Sequence, residues 1–86
     1  MDNPLDFSGR VVLVTGGGKG VGKGITEAFL AAGAEVVICG RTAPASLPRA
    51  GGREAIFTTC DVRDYEQIEA CVDFILSRFG RLDVLV

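Results

Sequence analysis

Glycine and lysine are concentrated in one short segment, residues 15–24, which reads TGGGKGVGKG. Six of these ten residues are glycine and two are lysine. Glycines let backbone N–H groups approach a phosphate closely, and a helix that begins directly after them adds the positive end of its dipole. The segment follows the apolar run Arg10–Thr15 and precedes an amphipathic stretch, so it stands between a strand and a helix. These residues therefore predict a binding site for a phosphorylated ligand.

Two classes of phosphate-binding loop compete for this segment. Gly17 to Lys23 fits the spacing GxxxxGK of a P-loop, in which the lysine reaches the β- and γ-phosphates of a mononucleotide. A P-loop then needs Ser or Thr to ligate magnesium, but this chain has Gly24 there, and Thr26 comes two positions too late. A glycine-rich dinucleotide loop inside a βαβ unit is therefore favoured, and a P-loop-like nucleotide hydrolase remains the alternative.

Strand and helix patterns alternate along the whole chain. Short β-branched apolar runs predict strands that are buried on both faces, and apolar residues at helical spacing predict helices that begin near Val21 and Asp64. Because crossover connections between parallel strands are right-handed, the two helices should cover opposite faces of the sheet. We expect an α/β fold, a partial Rossmann-type doubly wound parallel sheet of strand order 3-2-1-4. Its strands are predicted at Val11–Val14, Glu35–Cys39, Ala55–Cys60 and Leu82–Val86.

Finer features follow from the same patterns. The first helix should bury a stripe that consists of Val21, Ile25, Ala28, Phe29 and Ala32. The second should begin with a capping box formed by Asp64 and Gln67. Residues 41–52 contain two prolines and two glycines without a sustained period, which predicts a loop.

Four segments in order resemble the short-chain dehydrogenases/reductases, and together they cover essentially the whole chain. Residues 15–22 resemble the fingerprint Thr-Gly-x-x-x-Gly-x-Gly of that family, and residues 7–14 resemble its usual lead-in. Asp61 and Val62 are similar to the Asp-Val pair after the third strand, and residues 79–86 resemble the approach to the fourth strand. The helix that usually follows the second strand is replaced here by a proline-containing loop.

The resemblance implies a role for each matched residue. Gly16 would make the tight turn, and Gly20 and Gly22 would allow close approach and helix packing. Asp61 would hold the amino group of an adenine ring. The residues expected to contact a dinucleotide are Gly16, Gly18, Lys19, Gly20, Val21, Gly22, Gly40, Arg41, Thr42, Asp61 and Val62.

The residues after the second strand predict which dinucleotide is bound. NAD-binding Rossmann sites carry an acidic residue about 20 positions past the glycines, where it bonds the ribose 2′-hydroxyl. Here that position is Gly40, and Arg41 follows with a planar guanidinium suited to phosphate oxygens. Lys19 adds a second cation, and Thr42 adds a hydroxyl. We therefore expect NADP(H) as the cofactor.

No residue of this chain is expected to be catalytic. The family uses Ser, Asn and a Tyr-x-x-x-Lys motif from the second half of a longer chain, whereas Tyr65 is followed at the fourth position by Glu69, and histidine is absent. Residues 1–86 are thus interpreted as the NADP(H)-binding segment that precedes the catalytic half of an oxidoreductase acting on a small carbonyl or alcohol. A non-catalytic dinucleotide-binding module is the other alternative.

Composition sets the remaining expectations. The net charge is −2, with too few and too scattered basic residues for a nucleic-acid partner. No apolar run approaches the ~20 residues of a membrane helix, and the N-terminus carries no export signal, so a cytoplasmic protein is expected. Cys39, Cys60 and Cys71 are interpreted as reduced, half-buried small hydrophobes, and no metal site is expected. The resemblance implies that the full-length protein is a homo-oligomer.

Overall fold

A computed structural model describes residues 6–86, which form one open parallel sheet with a helix on each face and a small separate hairpin. The predicted helices begin within one residue of their expected positions. In chain order the elements are β1 (Val11–Thr15), α1 (Gly20–Ala31), β2 (Glu35–Gly40), β3 (Arg49–Ala50), β4 (Arg53–Glu54), β5 (Ile56–Thr59), α2 (Tyr65–Phe79) and β6 (Val84–Leu85). Neither of the two helices in this part of the chain is long and apolar enough to cross a membrane.

The main sheet has the order β5-β2-β1-β6, and every neighbouring pair is parallel. The predicted order 3-2-1-4 is therefore confirmed, with β5 and β6 as the third and fourth predicted strands. The register pairs Val12 of β1 with Val36 of β2 on one side and with Val84 of β6 on the other. Because parallel strands run in one direction, the residues that follow β1, β2 and β5 all emerge at the same end of the sheet.

Alternation along β1 and β2 divides the core into two layers. Val12, Val14, Val36 and Ile38 pack on the face that α1 covers, where Leu30 is buried. The intervening positions point to the other face, where α2 buries Cys71 and Ile75. Successive side chains of a strand point to opposite faces, so the continuous apolar runs fill both layers. The two helices lie on opposite faces, as expected.

The buried stripe of α1 differs from the prediction. Ile25 and Phe29 of the predicted stripe pack against the core and are partly buried. Thr26 and Leu30 are the fully buried residues, whereas Val21 is 82% exposed and Ala28 is also exposed. Val21 lies in the first turn, which rests on the glycine loop and not on the sheet. Helical spacing alone could not predict the exposure of Val21, because it does not show which turns of a helix contact the sheet.

The predicted loop over residues 41–52 was wrong in its second half. A hairpin forms where Arg49–Ala50 pairs with Arg53–Glu54 in the antiparallel sense. Its two turn residues, Gly51 and Gly52, have φ values of 61° and 78°. Two successive residues with positive φ characterise tight hairpin turns, and a Gly-Gly pair is a signal for them. The signal was missed because the flanking strands have only two residues each and show no alternation.

Charged groups at the opposite, amino end of the sheet are mutually paired. The carboxylate of Asp83 accepts a hydrogen bond of 2.8 Å from Val11 N–H and three from the guanidinium of Arg81. These bonds hold the pKa of Asp83 below its ordinary value, with the Arg81 bond as the largest cause. Asp83 thereby fixes the start of β6 beside the start of β1.

Candidate dinucleotide-binding site

The glycine loop joins β1 to α1 at the carboxyl end of the sheet, and its path requires glycine at specific positions. Gly16 has φ +68°, and its N–H donates to the carbonyl oxygen of Cys39 at 2.9 Å. Gly20 has φ +59°. A Cβ at Gly22 would overlap the carbonyl oxygen of Gly16. The first turn of α1 therefore rests directly on the loop, as the resemblance implied for Gly22.

Gly17 is a structural requirement that the sequence analysis missed. It is buried, and a Cβ there would lie 2.5 Å from Cγ2 of Ile38 and 2.7 Å from Oγ1 of Thr26. The middle of the loop thus passes between β2 and α1 with no room for a side chain. The run of three glycines was the one indication in the sequence. It does not show which of the three is packed between β2 and α1.

Thr26, in α1, holds the glycine loop against the helix through its side-chain hydroxyl. Its buried hydroxyl lies 2.9 Å from the carbonyl oxygen of Gly22 and 3.3 Å from that of Gly17, and its single proton is directed at these acceptors. The hydroxyl is therefore committed to the backbone inside the fold. This position does not suit the solvent-facing magnesium ligand that a P-loop needs.

The N-terminus of α1 presents its backbone N–H groups without a side-chain cap. Lys19 is the N-cap residue, with φ −159° and ψ 164°, and it makes no capping bond because an ammonium group only donates. The first helical hydrogen bond runs from Lys23 N–H to the Lys19 carbonyl oxygen at 3.2 Å. The N–H groups of Gly20, Val21 and Gly22 precede it and have no partner within the helix. No acidic residue lies in this first turn.

A cleft of about 700 Å³ opens beside this helix end, between the glycine loop and the chain that follows β2. Gly18 faces its far wall, since a Cβ there would lie 3.1 Å from Cβ of Pro44. The lining contains three cations and no carboxylate. It consists of Gly16, Gly18, Lys19, Lys23, Ile38, Cys39, Gly40, Arg41, Thr42, Ala43, Pro44, Ala45, Ser46 and Phe57.

The three cations of the cleft take no part in ion pairing within the described residues. Residues 6–86 contain five ion pairs, whose basic partners are Arg10, Arg49, Arg53, Arg63 and Arg81. Lys19, Lys23 and Arg41 make none of these pairs. The lining therefore carries a net positive charge, which favours an anionic ligand there. The charge of Arg41 also acts on the carboxylate of Asp61, which lies outside the lining.

The predicted site residues divide into two groups. Gly16, Gly18, Lys19, Gly40, Arg41 and Thr42 line the cleft. Gly20, Val21 and Gly22 lie at the helix end beside it. The wall from Ala43 to Ser46 lines the cleft as well but was absent from the predicted contacts, because the sequence does not reveal how the segment after Arg41 folds back. Lys23 also lines the cleft, although only the P-loop alternative had given it a phosphate contact.

Asp61 and Val62 lie outside the cleft lining. The carboxylate of Asp61 accepts hydrogen bonds from the N–H, Nε and Nη2 of Arg63. These bonds, with smaller contributions from the charges of Arg63 and Arg41, lower the pKa of Asp61 to about 2. The carboxylate is therefore ionised and still has lone pairs to offer. Val62 is 53% exposed. Their roles toward an adenine ring stay predictions.

Comparison with known proteins identifies the family. The family model described as short chain dehydrogenase matches residues 10–86, which is most of the chain. The chain belongs to the short-chain dehydrogenase family. A relative called L-fucose dehydrogenase, from Bos taurus, is 43% identical over 93% of this chain and 30% of its own length.

Solved structures of the family share this fold. A hydroxysteroid dehydrogenase from Escherichia coli has a TM-score of 0.84 and 32% identity, covering 94% of this chain and 35% of that one. An NADPH-dependent 3-quinuclidinone reductase from Rhodotorula rubra has a TM-score of 0.83 and 30% identity, covering 94% of this chain and 33% of that one. The chain thus spans about a third of the length of these relatives.

Proposed function

We propose that residues 1–86 are the NADP(H)-binding segment of a longer oxidoreductase that interconverts a small carbonyl compound and an alcohol. Membership of the short-chain dehydrogenase family supports the reaction class, and relatives are named as dehydrogenases or reductases. The observation that carries the choice of NADP(H) is the charge of the cleft. Three cations that form no ion pair within residues 6–86 line it, no carboxylate is in the lining, and glycine occupies the end of β2.

The residues present fit each part of such a cofactor. The uncapped N–H groups of Gly20, Val21 and Gly22 suit the pyrophosphate, because they combine donors with the positive helix end. Arg41 and Lys19 suit the 2′-phosphate, and the hydroxyl of Thr42 adds a donor. Asp61 has acceptor capacity for the amino group of adenine. The nicotinamide ring supplies the hydride when the cofactor is bound.

The alternative of a P-loop-like hydrolase receives no support from the site, because the hydroxyl of Thr26 is buried against two carbonyl oxygens. The alternative of a non-catalytic binding module differs from the proposal only in the remainder of the protein. We assign the proton-transferring groups to that remainder. NADPH oxidation by the full-length protein with carbonyl substrates tests this part, and a protein that binds NADPH but never oxidises it would favour the module.

The decisive experiment is a pair of titrations on the full-length protein with NADPH and NADH. A charge-assisted bond to a phosphate contributes about 1.5–3 kcal/mol. Arg41→Ala should therefore raise the Kd for NADPH by about ten- to a hundredfold. NADH, which lacks the 2′-phosphate, should bind almost unchanged. Arg49→Ala is the matched control, because Arg49 pairs with Glu54 outside the cleft. Equal losses for both cofactors would mean that Arg41 supports the fold and does not bind the phosphate.

A complementary variant adds the missing acid. A Cβ at Gly40 would meet nothing nearer than the carbonyl oxygen of Thr42 at 4.0 Å, so the strand end has room for a side chain. Gly40→Asp should weaken NADPH binding by about a hundredfold through repulsion, and should strengthen NADH binding by offering an acceptor to the 2′-hydroxyl. The same two titrations measure this shift. An unchanged ratio of the two Kd values would contradict the proposed position of the 2′-phosphate.

A further inference from the structure

Three cysteines that are distant in sequence meet beneath α2. Cys39 ends the apolar part of β2, Cys60 follows β5, and Cys71 lies in the middle of α2. Their Sγ atoms all lie within 4.8 Å of one another, and each residue is only 2–3% exposed. The expectation that they are half-buried small hydrophobes was wrong in one respect, since all three are fully buried. Cys39 pairs with Thr58, and Cys60 comes two residues after Thr58, so the strand alternation places both thiols on the α2 face.

The surroundings of this three-thiol cluster are apolar. Its buried neighbours are Val11, Leu13, Val37 and Ile75, and partly buried Ile56, Phe79 and Leu82 pack against it. Desolvation, followed by the two neighbouring cysteines, raises the pKa of the Cys39 thiol to about 12, and desolvation raises that of Cys71. The thiols of Cys39 and Cys71 are therefore neutral near pH 7. All three cysteines are free.

We propose that Cys39, Cys60 and Cys71 form a binding site for a trivalent thiophilic centre, with arsenic(III) as its simplest example. Sulfur ligands prefer soft centres, and three converging sulfurs provide a complete set of donors for a three-coordinate one. Charge selects the valence. Three thiolates around a trivalent centre are neutral overall, whereas around a divalent or monovalent ion they would leave a net negative charge in an apolar layer, which is costly.

The capture reaction balances without an oxidant. Arsenous acid, As(OH)₃, exchanges its three hydroxyl groups for three thiolate sulfurs. Three S–H bonds and three As–O bonds break, three As–S bonds form, and each thiol proton leaves with a hydroxyl group as water. Arsenic stays in the +3 state, and no sulfur is oxidised. Entry requires a local opening of α2 away from the sheet, because the sulfurs are covered by it.

The test is a titration of the full-length protein with arsenite, carried to equilibrium. The triple variant Cys39→Ala/Cys60→Ala/Cys71→Ala should bind one arsenic fewer per chain than the wild type. Each single Cys→Ala variant should lose affinity at this site by at least about a hundredfold, because two-point attachment replaces three-point attachment. Ile75→Val is the matched control, since it alters the same buried layer without removing a sulfur and should bind as the wild type does.

Two further measurements on the wild type keep the proposal falsifiable if a cysteine variant fails to fold. X-ray absorption should show three sulfur neighbours around arsenic and no remaining oxygen. In competition, arsenite should bind more tightly than zinc, because a divalent ion held by three thiolates leaves a net negative charge in the apolar layer. Fewer than three sulfur neighbours, an unchanged stoichiometry in the triple variant, or tighter binding of zinc than of arsenite would each overturn the proposal.

Discussion

The two helices begin at the same end of the sheet, but a side chain caps the N-terminus of α2 and none caps that of α1. Asp64 caps α2, where its carboxylate accepts from the N–H of Glu66 at 3.0 Å and of Gln67 at 3.4 Å, and Glu66 adds an acid to the first turn. At the same position in α1 stands Lys19, which offers no acceptor. An uncapped helix end forgoes stability, since a capping residue contributes about 1 kcal/mol.

A helix end that serves only the fold is capped by the protein itself, whereas one that binds a ligand is left without a cap. Both follow a strand of the same sheet, so position alone does not separate them. At α2 the side chain of Asp64 accepts from the first N–H groups, whereas at α1 these groups have no side-chain cap and lie beside cations that form no ion pair in the part of the chain the structure describes. Asp64 provides the negative charge that stabilises the N-terminus of α2. At the N-terminus of α1 a bound ligand would have to provide it.

The largest effect should come from the backbone that shapes the α1 end. Gly22→Ala places a Cβ onto the carbonyl oxygen of Gly16 and should lower the free energy of unfolding by about 3 kcal/mol. Gly24→Ala is the matched control, because a Cβ there meets nothing within 4 Å, and it should raise stability by about 0.5–1 kcal/mol. Urea unfolding of the two variants measures the contrast. Similar effects from both would show that the contact between Gly22 and the loop does not constrain the fold.

A second variant converts the end of α1 into one like that of α2. The extended backbone of Lys19 already suits a capping residue, so Lys19→Asp should raise the free energy of unfolding by about 0.5–1 kcal/mol. The same change should weaken NADPH binding by about a hundredfold, because a carboxylate would occupy the N–H groups and repel phosphate. Lys19→Ser, an uncharged cap, should stabilise comparably with a smaller loss of affinity. Unchanged NADPH affinity in Lys19→Asp would remove the α1 end from the binding site.

The smallest effect is expected at α2. Asp64→Ala should lower the free energy of unfolding by about 1 kcal/mol through loss of the cap and should leave the Kd for NADPH unchanged. Chemical denaturation and the NADPH titration measure the two quantities on the same preparation. A selective fall in NADPH affinity here would show that both helix ends serve the ligand, and the comparison would fail.

Much of this contrast could be predicted from the sequence, because helix ends are local. The cap at Asp64 was predicted correctly. The predicted capping box was only partly right. The side-chain amide of Gln67 donates to the carboxylate of Asp64 and accepts from the N–H of Asp61, but it does not accept from the N–H of Asp64. The glycine loop was recognised from its spacing, and the helices from their periods.

Features that depend on tertiary placement could not be read from the sequence in the same way. The exposure of Val21 depends on where α1 leaves the sheet, and the packing of Gly17 depends on Ile38 and Thr26 lying on either side of it. The cluster of Cys39, Cys60 and Cys71 needs the register of two strands and the position of a helix at once. The family resemblance identified the residues of the loop, but only the fold revealed which cations of the cleft make no ion pair among the described residues.

The bond between Val11 and Asp83 has a consequence for synthesis on the ribosome. The two residues are 72 positions apart, and β6 can join the sheet only after both have been made. At about 5–20 residues per second, the edge of β1 that pairs with β6 stays unpaired for roughly 4–14 s after it is translated. In that interval an apolar strand exposes an unpaired edge of the kind that recruits other chains. Nascent chains of this protein should therefore be most prone to misassociate before Asp83 emerges and closes that edge.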